Sequence, residues 1–308
     1  MTAREFLVAL AALLAAATLT ACGGGAGSAT DSDSGVTIAV TTTQLGDLAR
    51  AVAGRRAGVA QILDAGSDPH AYEPRPSDLR AVADAKVVVR SGGDLDAWLG
   101  DVLRSARSDA RTVTVLDGVQ RRGSDPHWWQ DPRNAAKAVA LIRDALVAAD
   151  PGGREAYEAN AGRYRTRLAR LDAAIAGCMR RIPAGRRKLV TDHDALGYFA
   201  DRYDIDVIGT VIPALSTQAQ ASGGEVARLV RTIRKAGVSE IFPESSANAK
   251  LSQAIARDAG ARVGPALYAD SLGAEGSVGA TYLGALRSNA RALVHGFSGG
   301  RARCALPG

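Results

Sequence analysis

The chain has 308 residues, of which 46% are hydrophobic and 23% charged, with a formal net charge of +6. That balance belongs to a globular protein and excludes a disordered or low-complexity one. Aromatics are only 5% and the arginines are spread over helix faces, so nucleic acid is not an expected partner.

The N-terminus opens with Arg4, then an Ala/Leu-rich apolar run over residues 6–19, then Leu19-Thr20-Ala21-Cys22. The run is short of the about 20 apolar residues a membrane span needs and ends in small residues, which predicts a secretory signal over residues 1–21. A Cys directly after Leu-Thr-Ala resembles a bacterial lipobox, in which Cys22 is lipidated and becomes the mature N-terminus. An ordinary cleaved signal with an incidental Cys is the alternative. Residues 22–35 (CGGGAGSATDSDSG) read as a flexible tether. Past Cys22 the chain has Cys178 and Cys304 and no CxxC, so a thiolate zinc site and a redox motif are not expected. Outside the cytoplasm these two cysteines could form one disulfide, a pairing that sequence leaves open.

The mature chain then alternates short β runs with helical patterns. Strands are predicted at 36–40, 59–63, 87–89 and 112–116, with helices at 44–53, 77–85, 95–105 and 134–148. Such βα repetition builds a parallel sheet. Asp150-Pro151 offers an N-cap and an N1 proline. From there Tyr157, Ala161, Tyr164, Leu168, Leu171, Ile175, Cys178 and Ile182 recur at spacings of four and three, one apolar stripe on one long helix. Residues 150–182 would span about 50 Å. The βα pattern resumes with strands at 188–191, 207–212, 240–242 and 262–263, and helices at 195–203, 225–236, 247–259 and 277–294. The expected fold is α/β: two parallel-sheet lobes (36–149 and 185–297) bridged by one long rigid helix (150–184), with a tail at 298–308 and a metal site in the cleft.

Three of the four histidines sit in short polar loops after strands: His70 in GSDPH, His127 in DPHWW and His193 in TDHD. Asp270, in LYADS, occupies the same kind of loop. Ligands of open parallel sheets bind beyond the carboxyl ends of the strands. Two of these residues come from each lobe, so facing lobes can bring them together in a cleft. Three imidazoles and a carboxylate can fill a zinc shell, and the nitrogen-rich set leans away from metals that prefer oxygen. Asp68, Asp125, Asp192 and Asp194 flank the histidines and could accept the distal imidazole N–H groups. His295, after the last helix, reads as exposed or as a C-terminal helix charge, Trp128-Trp129 as packing or cleft wall, and Glu244 as a reserve carboxylate without a definite role. Four protein ligands would leave no obligatory open position for water, so the reading is of a binding protein and not an enzyme. A zinc hydrolase with Glu244 as base is the rival class, though no HExxH or GxSxG is present.

The segments SDPHAYEPRPSDLRAVADAKVVVRSGGDLDAWL, DPHWWQDPRNAAKAVALI, LVTDHDALGYFADRYDI, EVARLVRTIRKAGVSEIFPESS and LYADSLG together resemble the solute-binding proteins of bacterial zinc and manganese ABC importers, the metal-receptor lipoproteins. The resemblance implies two lobes on a rigid helix and metal ligands at His70, His127, His193 and Asp270. It implies a monomer, lipid-anchored outside the membrane, that captures Zn2+ (or Mn2+ or Fe2+) and hands it to an ABC permease. The third ligand position is typically His in zinc members and Glu in manganese members, so His193 favours zinc. Residues 117–123 (DGVQRRG) depart from the pattern: many zinc members carry a His- and acid-rich loop there, and this one is short and basic.

Overall fold

A computed structural model of the protein describes residues 34–308. The signal segment, Cys22 and all but the end of the tether lie outside the described residues. In the first lobe β1 (Thr37–Val40), β2 (Gly58–Gln61), β3 (Val87–Arg90) and β4 (Arg111–Thr114) form one parallel sheet in the order β2-β1-β3-β4. Ile38, Ala39 and Val40, like Val87, Val88 and Val89, are inaccessible to solvent. Continuous apolar runs of this kind suit central strands covered on both faces. The covering helices are α1 (Thr43–Ala53), α2 (Pro76–Ala83), α3 (Leu99–Ser105) and α4 (Pro132–Ala149). Thr42 caps α1 by accepting from Leu45 N–H, and Asp131 caps α4 with Pro132 at its first position.

α3 is shorter than the predicted 95–105. Gly92 at φ 102° turns the chain, and a 3₁₀ turn (Gly93–Asp96) comes first. The Asp96 carboxylate accepts from the Ser91 and Gly92 N–H groups at 2.6 and 3.0 Å, from Thr41 Oγ1 at 2.8 Å and from Arg90. That local network outcompetes a continuous helix.

The long helix, α5 (Arg154–Arg180), has 27 residues, about 40 Å at 1.5 Å per residue. The apolar stripe from Tyr157 to Cys178 is buried as its spacing predicts. Its start differs. Pro151–Gly153 form a separate 3₁₀ turn, and Asp150 makes no side-chain cap. The Asp150 carboxylate instead binds the Arg56 guanidinium at 2.7 and 3.0 Å and accepts from Tyr157 Oη at 2.8 Å. The hydrogen bonds from Arg56 and Tyr157, with the Arg56 charge, outweigh the opposing effect of burial and hold the carboxylate pKa at about 2.

The second lobe contains β5 (Lys188–Thr191), α6 (Gly197–Tyr203), β6 (Asp206–Thr210), α7 (Gly223–Ala236), β7 (Glu240–Ile241), α8 (Lys250–Ala259), β8 (Arg262–Val263) and α9 (Tyr282–Ser298). β5 pairs with β6 and β7 with β8, all parallel, and a parallel bridge from Thr191 to Phe242 joins the two ladders. α9 begins later than the expected residue 277 because residues 274–280 form turns around Gly276 (φ 79°), and Thr281 caps the helix by accepting from Gly284 N–H. It ends later too, at Gly299 in the left-handed region (φ 63°), which puts the exposed His295 in the last turn of α9 and not after it.

One core cluster runs through both lobes and the bridge, including Ile38 of β1, Ile142 of α4, Leu168 of α5, Phe199 of α6 and Leu293 of α9. Cys178 of α5 and Cys304 of the tail are joined in a disulfide, with Cα atoms 5.6 Å apart. No helix among the described residues is long and apolar enough to cross a membrane.

Candidate metal centre

Each of the four expected residues lies in the connection that follows a strand and is held there by hydrogen bonds. Pro69–Ala71 form a 3₁₀ turn after β2, and Asp68 Oδ1 caps it by accepting from His70 N–H at 2.9 Å. His127 heads the turn Trp128–Gln130 before α4. Asp125 Oδ1 accepts both from its backbone N–H at 2.9 Å and from its ring Nδ1 at 2.7 Å. His193 follows β5 and is held identically: Glu244 Oε1 accepts from its N–H at 3.0 Å and from Nδ1 at 2.7 Å. A carboxylate on Nδ1 keeps the proton there, so Nε2 of each ring carries the lone pair. The Asp270 loop is pinned from the first lobe. Trp129 Nε1 and Gln130 Nε2 both donate to Ala269 O at 2.8 Å, and Leu272 N donates to Thr43 Oγ1 at 2.9 Å.

The four side chains converge. His70 Nε2 and His193 Nε2 lie 3.3 and 3.2 Å from Asp270 Oδ2, and His127 Nε2 lies 3.3 Å from Asp270 Oδ1. The His70 and His127 Nε2 atoms are 3.3 Å apart. One donor atom from each residue falls within 4.8 Å of all the others. Yet His193 Nε2 and both Asp270 oxygens have no hydrogen-bond partner, although they are buried. Orphaned buried acceptors are costly, so such a cluster needs a cation or protons at its centre. Metal–ligand bonds of about 2.0–2.1 Å in a tetrahedral shell place neighbouring donors roughly 3.3–3.4 Å apart, close to the 3.2–3.3 Å of these four pairs.

The electrostatics point the same way. Burial lowers the His127 and His193 pKa values, but the carboxylates beside them outweigh it and raise them to about 9 and about 11. Burial would raise Asp270, yet the three imidazoles hold it well below the usual carboxylate range. A buried carboxylate surrounded by imidazoles thus draws in positive charge, which a divalent ion supplies in place of protons.

Among the flanking acids only Asp125 takes an imidazole N–H. Asp68 caps a backbone N–H instead. Asp192 accepts from Glu244 N–H at 2.8 Å and from the Ser252 hydroxyl, so it supports His193 at one remove. Glu244 is not a fifth converging group: it stands behind His193, a role that sequence reasoning missed because the two are 51 residues apart. Trp128 and Trp129 are packing, at 0% and 2% exposure. The short basic loop before His127 joins the lobes. Arg122 Nε binds Asp201 at 2.9 Å, and Tyr198 Oη accepts from Arg122 N–H at 2.8 Å. Thr217 Oγ1 donates to Asp68 Oδ2 at 2.7 Å, a second cross-lobe tie beside His70.

Residues 38–296 match the family described as zinc-uptake complex component A, periplasmic. The chain belongs to that family. Over 300 residues it is 33% identical to the manganese-binding lipoprotein MntA of Halalkalibacterium halodurans, covering 96% of this chain and 98% of that protein. It is 29% identical to the iron-binding protein YfeA of Yersinia pestis, covering 84% and 86%. Its fold is similar to the periplasmic zinc-binding protein TroA of Treponema pallidum, with a TM-score of 0.79 and 26% identity, covering 85% of this chain and 99% of that one. Like other zinc-uptake component A proteins, the chain is a solute-binding component of a metal importer, built as two α/β lobes on a long helix, and not an enzyme.

Proposed function

We propose that the protein is an extracytoplasmic receptor, anchored through a lipid on Cys22, that holds one divalent transition metal between His70, His127, His193 and Asp270 and delivers it as a monomer to an ABC permease. The observation that carries this reading is the convergence of three imidazole Nε2 atoms on the unpartnered oxygens of Asp270 at 3.2–3.3 Å. The anchor rests on the lipobox-like sequence and on relatives named as lipoproteins.

Zinc is the cargo that the donor set favours. Three neutral nitrogens and one carboxylate suit zinc, and a site of this kind binds zinc more tightly than manganese in the ordinary order of divalent affinities. Manganese or iron is the second reading, favoured by the names of the relatives MntA and YfeA and by the short basic 117–123 loop. A metal-stripped sample titrated calorimetrically with zinc and with manganese separates them. One-to-one zinc binding that manganese cannot displace, lost in His127→Ala with the fold retained, is expected. Manganese binding as tight as zinc would transfer the receptor to the second reading, and unchanged affinity in His127→Ala would remove the site.

A further inference from the structure

The first described residue, Ser34, is fixed to the body of the protein: its N–H and hydroxyl both donate to Arg56 O, at 3.1 and 2.6 Å. Arg56 in turn binds Asp150 at the head of α5. Eleven residues, 23–33, separate Ser34 from Cys22. Even fully extended they reach at most about 40 Å, so a lipid on Cys22 keeps this end of α5 near the bilayer.

A basic face lies further along the same helix. Arg50 of α1 and Arg163 and Arg167 of α5 line one groove, whose acid is Asp47. Arg287 and Arg291 of α9 continue it. Arg287 Nε donates to the carbonyl of Leu283, which lines the groove, and Arg291 stands one turn further along the same helix; burial, with the Arg167 and Arg291 charges, lowers the Arg287 pKa. The partners of these arginines are neutral. Arg50 donates to Gln61, Arg163 to Asn160 and Arg287 to Leu283 O, and Arg167 lies over the Tyr164 ring. Arg50, Arg163, Arg167 and Arg291 are exposed. Other arginines are neutralised in ion pairs, such as Arg122–Asp201 and Arg202–Asp172.

We infer that this face, carrying Arg50, Arg163, Arg167, Arg287 and Arg291, docks on the anionic phospholipid surface to which the protein is tethered. Guanidinium forks match phosphate oxygens, and juxtamembrane basic residues are attracted to anionic leaflets. The tether supplies proximity and the arginines supply orientation, so α5 lies against the membrane and the strand-end loops of the metal centre keep a defined attitude to it. The inference rests on the anchor reading above, which is tested separately by palmitate labelling and its loss in Cys22→Ser.

The test uses the chain from Gly23, which retains every element described. Its sedimentation with vesicles of one part phosphatidylglycerol to two parts phosphatidylcholine is compared with that on phosphatidylcholine alone. Binding to the anionic vesicles only, weakening as sodium chloride rises, is expected. Replacing the five arginines with Gln should reduce it on the order of a thousandfold, to the level of phosphatidylcholine alone, since each basic residue near such a surface contributes about fivefold. Arg163→Glu with Arg291→Glu, both exposed, makes the same test without touching half-buried Arg287. Arg228→Gln with Arg231→Gln, exposed on α7, should leave binding unchanged. Equal binding to both vesicle types, undiminished binding in the patch variants, or an equal loss in the α7 variant would overturn the inference. Zinc titration of the same samples keeps the readings apart, because absent zinc binding with intact vesicle binding strikes the receptor alone.

Discussion

His127 and His193 stand on different lobes, yet one carboxylate oxygen behind each takes both the backbone and the ring N–H. This double hold fixes the rotamer and tautomer before any metal arrives. Glu244→Gln leaves the shape of that hold but weakens the acceptor and removes its charge. It should lower zinc affinity about 10- to 100-fold with the fold intact, measured by competition titration. Unchanged affinity would reduce Glu244 to packing, and loss of a zinc-dependent hydrolytic activity would revive the enzyme reading. In the proposed function protons compete with the metal at these atoms. In the metal-free protein His127 and His193 titrate at about 9 and about 11, above the ordinary 6.5. Groups raised in this way stabilise the fold fully below about pH 6.5 and lose that contribution as pH rises through the folded values. Metal-free melting temperature should therefore fall from pH 6.5 towards 9, while zinc affinity rises over the same window. A flat affinity profile would contradict the assigned protonation. His70, His127, His193 and Asp270 were legible because a strand-end loop and a donor side chain are both local signals. The Glu244–His193 bond was not, because it joins β5 to β7 across 51 residues and nothing local marks it.

At the scale of elements, α5 was the clearest reading, since its stripe repeats over many turns and its buried side is continuous. Its first turn was misread for a chemical reason: Asp150 binds Arg56 and Tyr157 instead of capping. The start of α3 shifted likewise, because Asp96 gathers the N–H groups of Ser91 and Gly92. Periodicity finds helices, whereas side-chain competition for backbone donors sets where they begin. The disulfide ties α5 to the tail across 126 residues of sequence. Closing so long a loop restricts the unfolded chain by up to about 5 kcal/mol in the chain-entropy account. Cys178→Ser with Cys304→Ser should lower the unfolding free energy measured in urea by about 2–5 kcal/mol and leave zinc affinity unchanged. Coupled loss of affinity would mean that the tail helps to shape the site.

For the whole molecule, one of the core clusters passes from β1 through α5 to α9, and the lobes are tied by Arg122–Asp201 and Thr217–Asp68. A shared core resists wide hinge opening, so the proposed function assigns metal exchange to the strand-end loops and predicts that the metal-free protein stays folded. The most direct measurement is anomalous diffraction at the zinc absorption edge from crystals of the zinc-loaded protein. One peak about 2.0–2.1 Å from the Nε2 atoms of His70, His127 and His193, and within bonding distance of Asp270, is predicted. A peak elsewhere, or a fully loaded protein whose peak lacks two or more of these residues, would contradict the account.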